Sequence, residues 1–343
     1  MIERNPRVSV HIVAWNGVTH LPTTLQAVHD QSLPSVATMV VDNGSVDGTI
    51  PWLAAEFPQV HVLRNTRNLG FCRAHNQAML ITTSPYVLSL NQDVALTPQW
   101  LERAVEILDR RPDIGAVGGK LLRFSYSDEE LKRVVPSGII DSAGLQIFRS
   151  RHVVDRGSGE QDVGQYDGAS AVFGLSGACV LFRREALESI RFRDEFFDED
   201  FFAYKDDVDV SLRLLRMGWV NWYDGSIVAY HHRTIQGQSS TKNLSIVKNY
   251  RRRQQHNALF SYRNHWLVAM KHESWASIRR DLPWIFWYEF RKFIFLLVTK
   301  PATLQGFFAA VRLRRTMKAK SVLLNRSAKV SAVSLRTWWT PQS

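Results

Sequence analysis

VVDNGSVDGT, residues 40–49, carries a β-branched apolar run straight into a cluster of turn-forming residues that begins at Asp42. Thr38 to Val41 therefore reads as a buried strand ending at Asp42. Working outward, Val8 to Ala14 reads as an earlier buried strand, and Leu21 to Gln31 as a helix with Leu21, Leu25 and Val28 on one face. Val60 to Leu63 and Tyr86 to Leu90 supply a third and a fourth strand, with a helical stretch, Ala74 to Ile81, between them. Strand and helix alternate, which predicts an α/β fold on a mostly parallel sheet with helices on both faces.

In such a sheet, ligands bind beyond the carboxyl ends of the strands. Four polar segments sit at these ends: Ala14-Trp15-Asn16, Asp42-Asn43-Gly44-Ser45, the loop from Arg64 to Gly70, and Asn91-Gln92-Asp93. One polar turn residue is ordinarily a cap; four at successive strand ends point to a site. No GxGxxG follows the first strand and no GxxxxGK[ST] occurs anywhere, which argues against a dinucleotide site and a P-loop. A diphosphate bound here needs a cation, and Asp93 is its natural anchor, because Mg²⁺ and Mn²⁺ take few protein ligands and share phosphate and water.

Six carboxylates fall between Asp198 and Asp209. Packed together without counter-charge they repel, so they must face solvent, cap a helix or meet a cation. Asp206 and Asp207 stand just ahead of an apolar helical pattern, Val208 to Met217, that stops at Gly218. Ser226 to Tyr230 reads as another strand, closing on His231-His232, where a histidine can complete a metal site with Asp93. The glycine-rich stretch Ile139 to Gly174 reads as hairpins and loops folded over the site.

The chain of 343 residues carries a net charge of +11, unevenly spread. From Ser245 onward there are 19 Lys+Arg against 3 Asp+Glu, so the body before it is mildly acidic. This basic part predicts helices near 245–271, 275–298 and 303–320, mixing Trp and Phe with Arg and Lys. Its most apolar piece, WIFWYEFRKFIFLLV (284–298), is interrupted by charges and shorter than the roughly 20 residues of a membrane span. It suits a helix lying in a headgroup layer; the competing reading packs its aromatics onto the sheet. Cys72 and Cys179 form no disulfide framework, and no signal peptide is evident at the N-terminus. Together these features predict a cytoplasmic protein, peripheral on the inner face of the cell membrane. The division expected is a catalytic domain over 1–243 and a helical, basic, aromatic extension over 244–343.

In order along the chain, VSVHIVAWNG, VVDNGSVDGT, NTRNLGF, LSLNQD, GLSGACVLFRREAL, FFDEDFFAYKDDVDVSLRLLRMGW and AYHHR resemble the family 2 glycosyltransferases, inverting enzymes of the GT-A fold, over roughly residues 7–235. DSAG, from Asp141, and DRGSGE, from Asp155, are similar to the rhamnosyltransferase-like branch. The resemblance implies transfer of a sugar such as rhamnose from a nucleoside-diphosphate sugar to a hydroxyl of a glycan or lipid-linked sugar acceptor, with a divalent metal, Mg²⁺ or Mn²⁺. It implies Asp207 as catalytic base, and Asp93 and His231 as metal ligands. Asp42 would bind the base, with Trp15, Asn16, Asn68, Gly70 and Asn91 lining the nucleotide pocket. Asn91 stands where the family's D-x-D pattern has its first Asp, Asp206 where Glu is usual, and Arg73 and His75 interrupt a loop typically rich in small residues. Two other readings compete. A nucleotidyltransferase usually begins with a Gly- and Arg-rich phosphate loop, which Ala14-Trp15-Asn16-Gly17 lacks. The basic tail fits a nucleic-acid-binding protein, but the acidic body and the aspartates speak against a nucleic-acid partner.

Overall fold

The computed structural model describes residues 6–126, 134–232 and 255–341. The first half alternates as its pattern requires: β1 (Val8–Ala14), α1 (Leu21–His29), β2 (Val36–Asp42), α2 (Thr49–Glu56), β3 (His61–Arg64), α3 (Phe71–Ile81) and β4 (Tyr86–Asn91). β1 lies between β2 and β4, parallel to both, and β3 runs parallel along β2. The register sets Ala14 opposite Asp42, Asp42 opposite Arg64 and Val13 opposite Asn91. The four polar strand ends thus align along one edge, where a ligand meets converging loops.

Beyond β4 the sheet becomes mixed. β5 (Val94–Leu96), α4 (Trp100–Arg110) and β6 (Ile114–Tyr126) precede β7 (Val134–Ser142), β8 (Leu145–Phe148), β9 (Val153–Asp155) and β10 (Ala169–Val172). Then come β11 (Cys179–Arg183), α5 (Arg184–Ser189), α6 (Asp206–Arg216) and β12 (Val220–His231). β11 runs antiparallel between β4 and β6, and β12 parallel to β6, in the order β10-β12-β6-β11-β4-β1-β2-β3. The parallel expectation therefore holds for β1 to β4 and gives way at β11, which returns directly beside β4. β12 is longer than the Ser226 to Tyr230 read from sequence, because its first half pairs with β6 while its end also pairs antiparallel with β5. The middle segment contains hairpin strands, two of which, β8 and β9, join the short C-terminal β13 (Trp339–Thr340) in a separate small sheet.

The C-terminal part is helical: α7 (Gln255–His272), α8 (Trp275–Thr299), α9 (Gln305–Arg312) and α10 (Arg314–Ser327). The stretch expected over 303–320 is two helices that meet at Leu313, and residues 245–254 of the first expected helix lie outside the described residues. On one face of the sheet, Leu21, Leu25, Trp100, Leu101 and Leu108 of α1 and α4 pack against Val10, Ile12 and Leu90. On the other, Met79, Leu187 and Leu214 share a core with Leu267, Ala310, Met317 and Leu324 of α7, α9 and α10. Burying each of those leucines contributes about 1.5–3 kcal/mol. Contacts across the expected boundary near residue 243 are thus part of the main core.

Candidate active site

The strand-end loops are tied to one another by hydrogen bonds. The Trp15 N–H donates to Gln92 Oε1 at 2.9 Å, the Asn16 N–H to Ser45 Oγ at 2.8 Å, and the Gly17 N–H to Thr49 Oγ1 at 2.9 Å. Asn16 takes a left-handed φ of 50°, and its Oδ1 accepts from the Val46 N–H. The Trp15 ring is left half open to solvent at 52% exposure. Asp42 is wholly buried at the end of β2, both carboxylate oxygens 3.3 Å from the Ser45 N–H and one 4.0 Å from Arg64 Nε. Asn68 Oδ1 accepts from the Gly70 N–H at 2.9 Å and from Asn43 Nδ2 at 3.1 Å.

Asn43, given no role from sequence, organises the third loop: it also donates to the Gly70 carbonyl and accepts from the Leu69 N–H and Asn65. A buried amide that meets several backbone groups fixes a loop far better than the chain alone. Gly70 has φ +89°, and a Cβ there would lie 2.7 Å from the Phe202 carbonyl oxygen, so this position must be glycine to let the acidic loop approach. His75 is fully buried against Phe71 and Phe197 and does not reach the site, while Arg73 faces Glu199 at 3.7 Å.

The antiparallel pairing of β12 with β5 sets His231 opposite Val94, and the His232 N–H donates to the Asp93 carbonyl at 2.9 Å. His231 Nε2 then points at Asp93 Oδ1, 3.4 Å away, and His231 Nδ1 lies 2.8 Å from Asp141 Oδ2. Burial alone would lower the histidine's pKa, but its hydrogen bonds to Asp141 and Asp93 outweigh burial and raise it to about 9. A carboxylate on one ring nitrogen that leaves the other facing a second carboxylate is the arrangement that orients a metal-ligating histidine. Asp141, from DSAG, is the residue that sequence reasoning flagged without giving it this role. Arg123 Nε stands 3.3 Å from its other oxygen. Among the described residues no three His, Cys, Asp or Glu converge as metal ligands. Asp93 and His231 fit a hard or borderline cation that takes its remaining ligands from phosphate and water.

Asp206 and Asp207 occupy the first turn of α6, with Lys205, in a left-handed conformation, as the N-cap. Neither acid is the cap, the alternative open from sequence. Asp207 Oδ1 accepts from the Val208 N–H at 2.8 Å, and Oδ2 from the Gly177 N–H at 3.4 Å. Burial raises both carboxyls above their usual range, and the Asp207 charge pushes Asp206 further, to about 8. Adjacent carboxyls whose proton affinities are raised by burial are suited to taking up a proton. Gly177 adjoins Ala178, whose carbonyl accepts from the Asn91 N–H at 2.9 Å. Asp207 is therefore linked through residues 177–178 to the strand end that bears Asn91 and Asp93.

Asp198, Asp200 and Asp209 of the acidic segment meet cations from the C-terminal helices. Lys271 Nζ lies 2.6 Å from Asp198 and 2.7 Å from Asp209, and Asp209 also meets Arg213 and His272. Lys320 contacts Glu195, Asp198 and Asp200. No spacing in the sequence links residues this far apart, so these partners were invisible before the fold was known.

Residues 9–191 match the profile of a family described as Glycosyl transferase family 2. The chain is 27% identical over 234 residues, 64% of its length and 74% of the relative's, to N-acetylglucosaminyl-diphospho-decaprenol L-rhamnosyltransferase of Mycobacterium tuberculosis. It is 26% identical over 164 residues, 44% of its length and 46% of the relative's, to the succinoglycan biosynthesis protein ExoO of Rhizobium meliloti. Its fold resembles that of the mannosyltransferase PcManGT from Pyrobaculum calidifontis, solved in complex with GDP-Man and Mn²⁺, with a TM-score of 0.51 at 18% identity, covering 98% of this chain and 88% of that one. The GT-A architecture expected from the motifs is the one found.

Proposed function

This chain belongs to glycosyl transferase family 2, and from that premise we propose that it moves a deoxyhexose such as rhamnose from a nucleoside diphosphate to a hydroxyl of a lipid-diphosphate-linked sugar, with inversion, in cell-surface glycan assembly. The observation that carries the reading is the continuous link from the Asp93–His231 pair, through Asn91 and the 177–178 backbone, to Asp207. It supports reading Asp93 and His231 as a cation corner and Asp207 as a proton acceptor, with the loops of Trp15, Asn16, Asp42, Asn68 and Gly70 as the nucleotide side. The rhamnosyl donor and lipid-linked acceptor are suggested by the activity for which the Mycobacterium relative is named.

In this reading Asp93 and His231 would hold Mg²⁺ or Mn²⁺, with Asp141 fixing the His231 ring through Nδ1. When bound, the cation supplies Lewis-acid stabilisation to the leaving diphosphate. Asp207 takes the proton of the acceptor hydroxyl as it attacks the anomeric carbon from the face opposite the diphosphate. Asp206, kept protonated by its buried position, spares the site a second charge. The fully buried Asp42 holds the second loop closed through Ser45, which shapes the floor of the nucleotide side.

Calorimetric titration with a panel of nucleoside diphosphates, with and without Mn²⁺, tests this. The reading expects one base to bind with clear Mn²⁺ enhancement, and Asp93→Ala to lose that enhancement while retaining its fold by circular dichroism. An Asp93→Ala protein with undiminished Mn²⁺ enhancement would falsify the cation assignment. Equal weak binding of every base would remove the nucleotide-sugar reading.

A further inference from the structure

Helix α8 is built inside out. The side it turns to the body carries its polar groups: Ser277 and Asp281 are buried, with Asp281 2.9 Å from Arg151 Nη1 and 2.6 Å from Arg336 Nη2. Further along, Glu289 meets His265 at 2.7 Å and Lys292 at 3.7 Å, against α7. The side turned outward is apolar. Trp275 is 73% exposed, Phe286 65%, Trp287 58% and Val298 75%, with Leu282, Trp284, Phe290, Phe293, Ile294 and Leu297 also exposed. Phe308 of α9 and Leu323 of α10 carry exposed apolar surface into the following helices. A helix that ends at water shows the opposite polarity, and a contiguous apolar face of this extent marks an interaction site.

The charge around that face identifies what it meets. Between residues 255 and 341 the only carboxylates are Glu273, Asp281 and Glu289, and each is turned inward onto a cation or a histidine. Arg279, Arg280 and Arg291 of α8 and Arg314, Arg315 and Lys318 of α10 are exposed. The outer surface therefore mixes aromatics with positive charge and bears no exposed carboxylate among the described residues. A second copy apposed through this face would set arginine against arginine with nothing to neutralise it. An anionic lipid surface supplies the missing charge, and its acyl boundary takes the aromatic rings. No helix among the described residues is long and apolar enough to cross a membrane, so a lipid contact of α8 would be interfacial.

We infer that the outer face of α8, with the adjoining α9 and α10, docks on an anionic phospholipid membrane, with Trp275, Phe286 and Trp287 inserted at the headgroup level and Arg279, Arg280 and Arg291 facing the phosphates. This rests on the shape and charge of the C-terminal helices and is independent of the sugar transferred.

Co-sedimentation of the full chain with vesicles of phosphatidylcholine alone, or mixed with phosphatidylglycerol, decides it. The chain should pellet with the mixed vesicles, be only partly released by high salt, and show a blue shift of tryptophan emission. A Trp275→Ser, Phe286→Ser, Trp287→Ser variant should lose the salt-resistant fraction and partition at least about tenfold more weakly. An Arg279→Gln, Arg280→Gln, Arg291→Gln variant should lose the preference for phosphatidylglycerol. Both variants should keep the parent's melting temperature and nucleoside-diphosphate binding, which separates lost docking from lost folding. Absence of vesicle binding by the parent chain overturns the inference. So does a dimer by light scattering that the triple serine variant dissociates, which would give the face to a second copy.

Discussion

Helices α7 and α8 follow one another and draw on the same Trp, Phe, Arg, Lys and His, yet they face opposite ways. α7 sends Lys271 and His272 into the body, where Asp198 and Asp209 wait, and buries Leu267 in the core. α8 sends its two acids inward and leaves its aromatic rings outside. Composition is shared, so the direction of each helix is set by the charge already present on the surface beneath it. The acidic segment between Asp198 and Asp209 draws the cations of α7 inward. Over α8, Arg151 and Arg336 draw Asp281 inward instead, and the aromatics take what remains.

The largest expected effect lies in α7. Lys271→Ala leaves Asp198 and Asp209 in a buried site short of one cation, and breaking such a pair costs about 3–5 kcal/mol. Urea unfolding followed by circular dichroism should show this as a lower midpoint at unchanged slope. A loss below about 1 kcal/mol would mean that Arg213, His272 and Lys320 suffice for the acids, and the contrast between the helices would be one of geometry alone.

Next comes the chemistry that the α7 network supports. Asp207→Asn should lower turnover at least about a hundredfold with donor KM little changed, because the amide oxygen keeps the Val208 N–H contact while the long Gly177 contact and the proton acceptor are lost. Steady-state kinetics on both neighbours separates them: an inactive Asp206→Asn beside an active Asp207→Asn would transfer the role to Asp206. A smaller effect is expected at the other corner. Asp141→Asn keeps a partner for His231 but removes its charge, and should weaken Mn²⁺-dependent nucleotide binding about tenfold in a Mn²⁺ titration, with the protein still folded.

These positions differ in how far the sequence disclosed them. The parallel β1 to β4 were legible because each strand is a short apolar run closed by turn residues, and the strand-end loops of Asn16, Asp42, Asn68 and Asp93 follow directly. His231 and Asp207 became candidates through motif order. Asp141 was visible only as part of DSAG, since its contact with His231 depends on β7 and β12 both pairing with β6. Lys271 and Lys320 gave no signal, because a lysine in a basic helix looks the same whether it faces solvent or a buried aspartate. The antiparallel β11 was missed as an interruption of the parallel order, since strand direction is a property of the connection and not of the five residues CVLFR.

The smallest expected effect closes the comparison on α8. If its outer face meets only solvent in the free chain, Phe286→Ser removes only an exposed stack on Phe290 and should change stability by no more than about 0.5 kcal/mol. The same substitution at a buried apolar position of α7, Leu267→Ser, should cost several times more, because it leaves a cavity and a buried hydroxyl together. Urea unfolding of both variants at two protein concentrations gives the test. A Phe286→Ser loss near that of Leu267→Ser would show the outer face covered in the free protein. If that loss also grew with protein concentration, the cover would be another copy of the chain, because only an associating species links stability to mass action. A concentration-independent, near-zero change leaves the aromatic face unpartnered in solution, the outcome expected if α8 docks on a membrane as we infer.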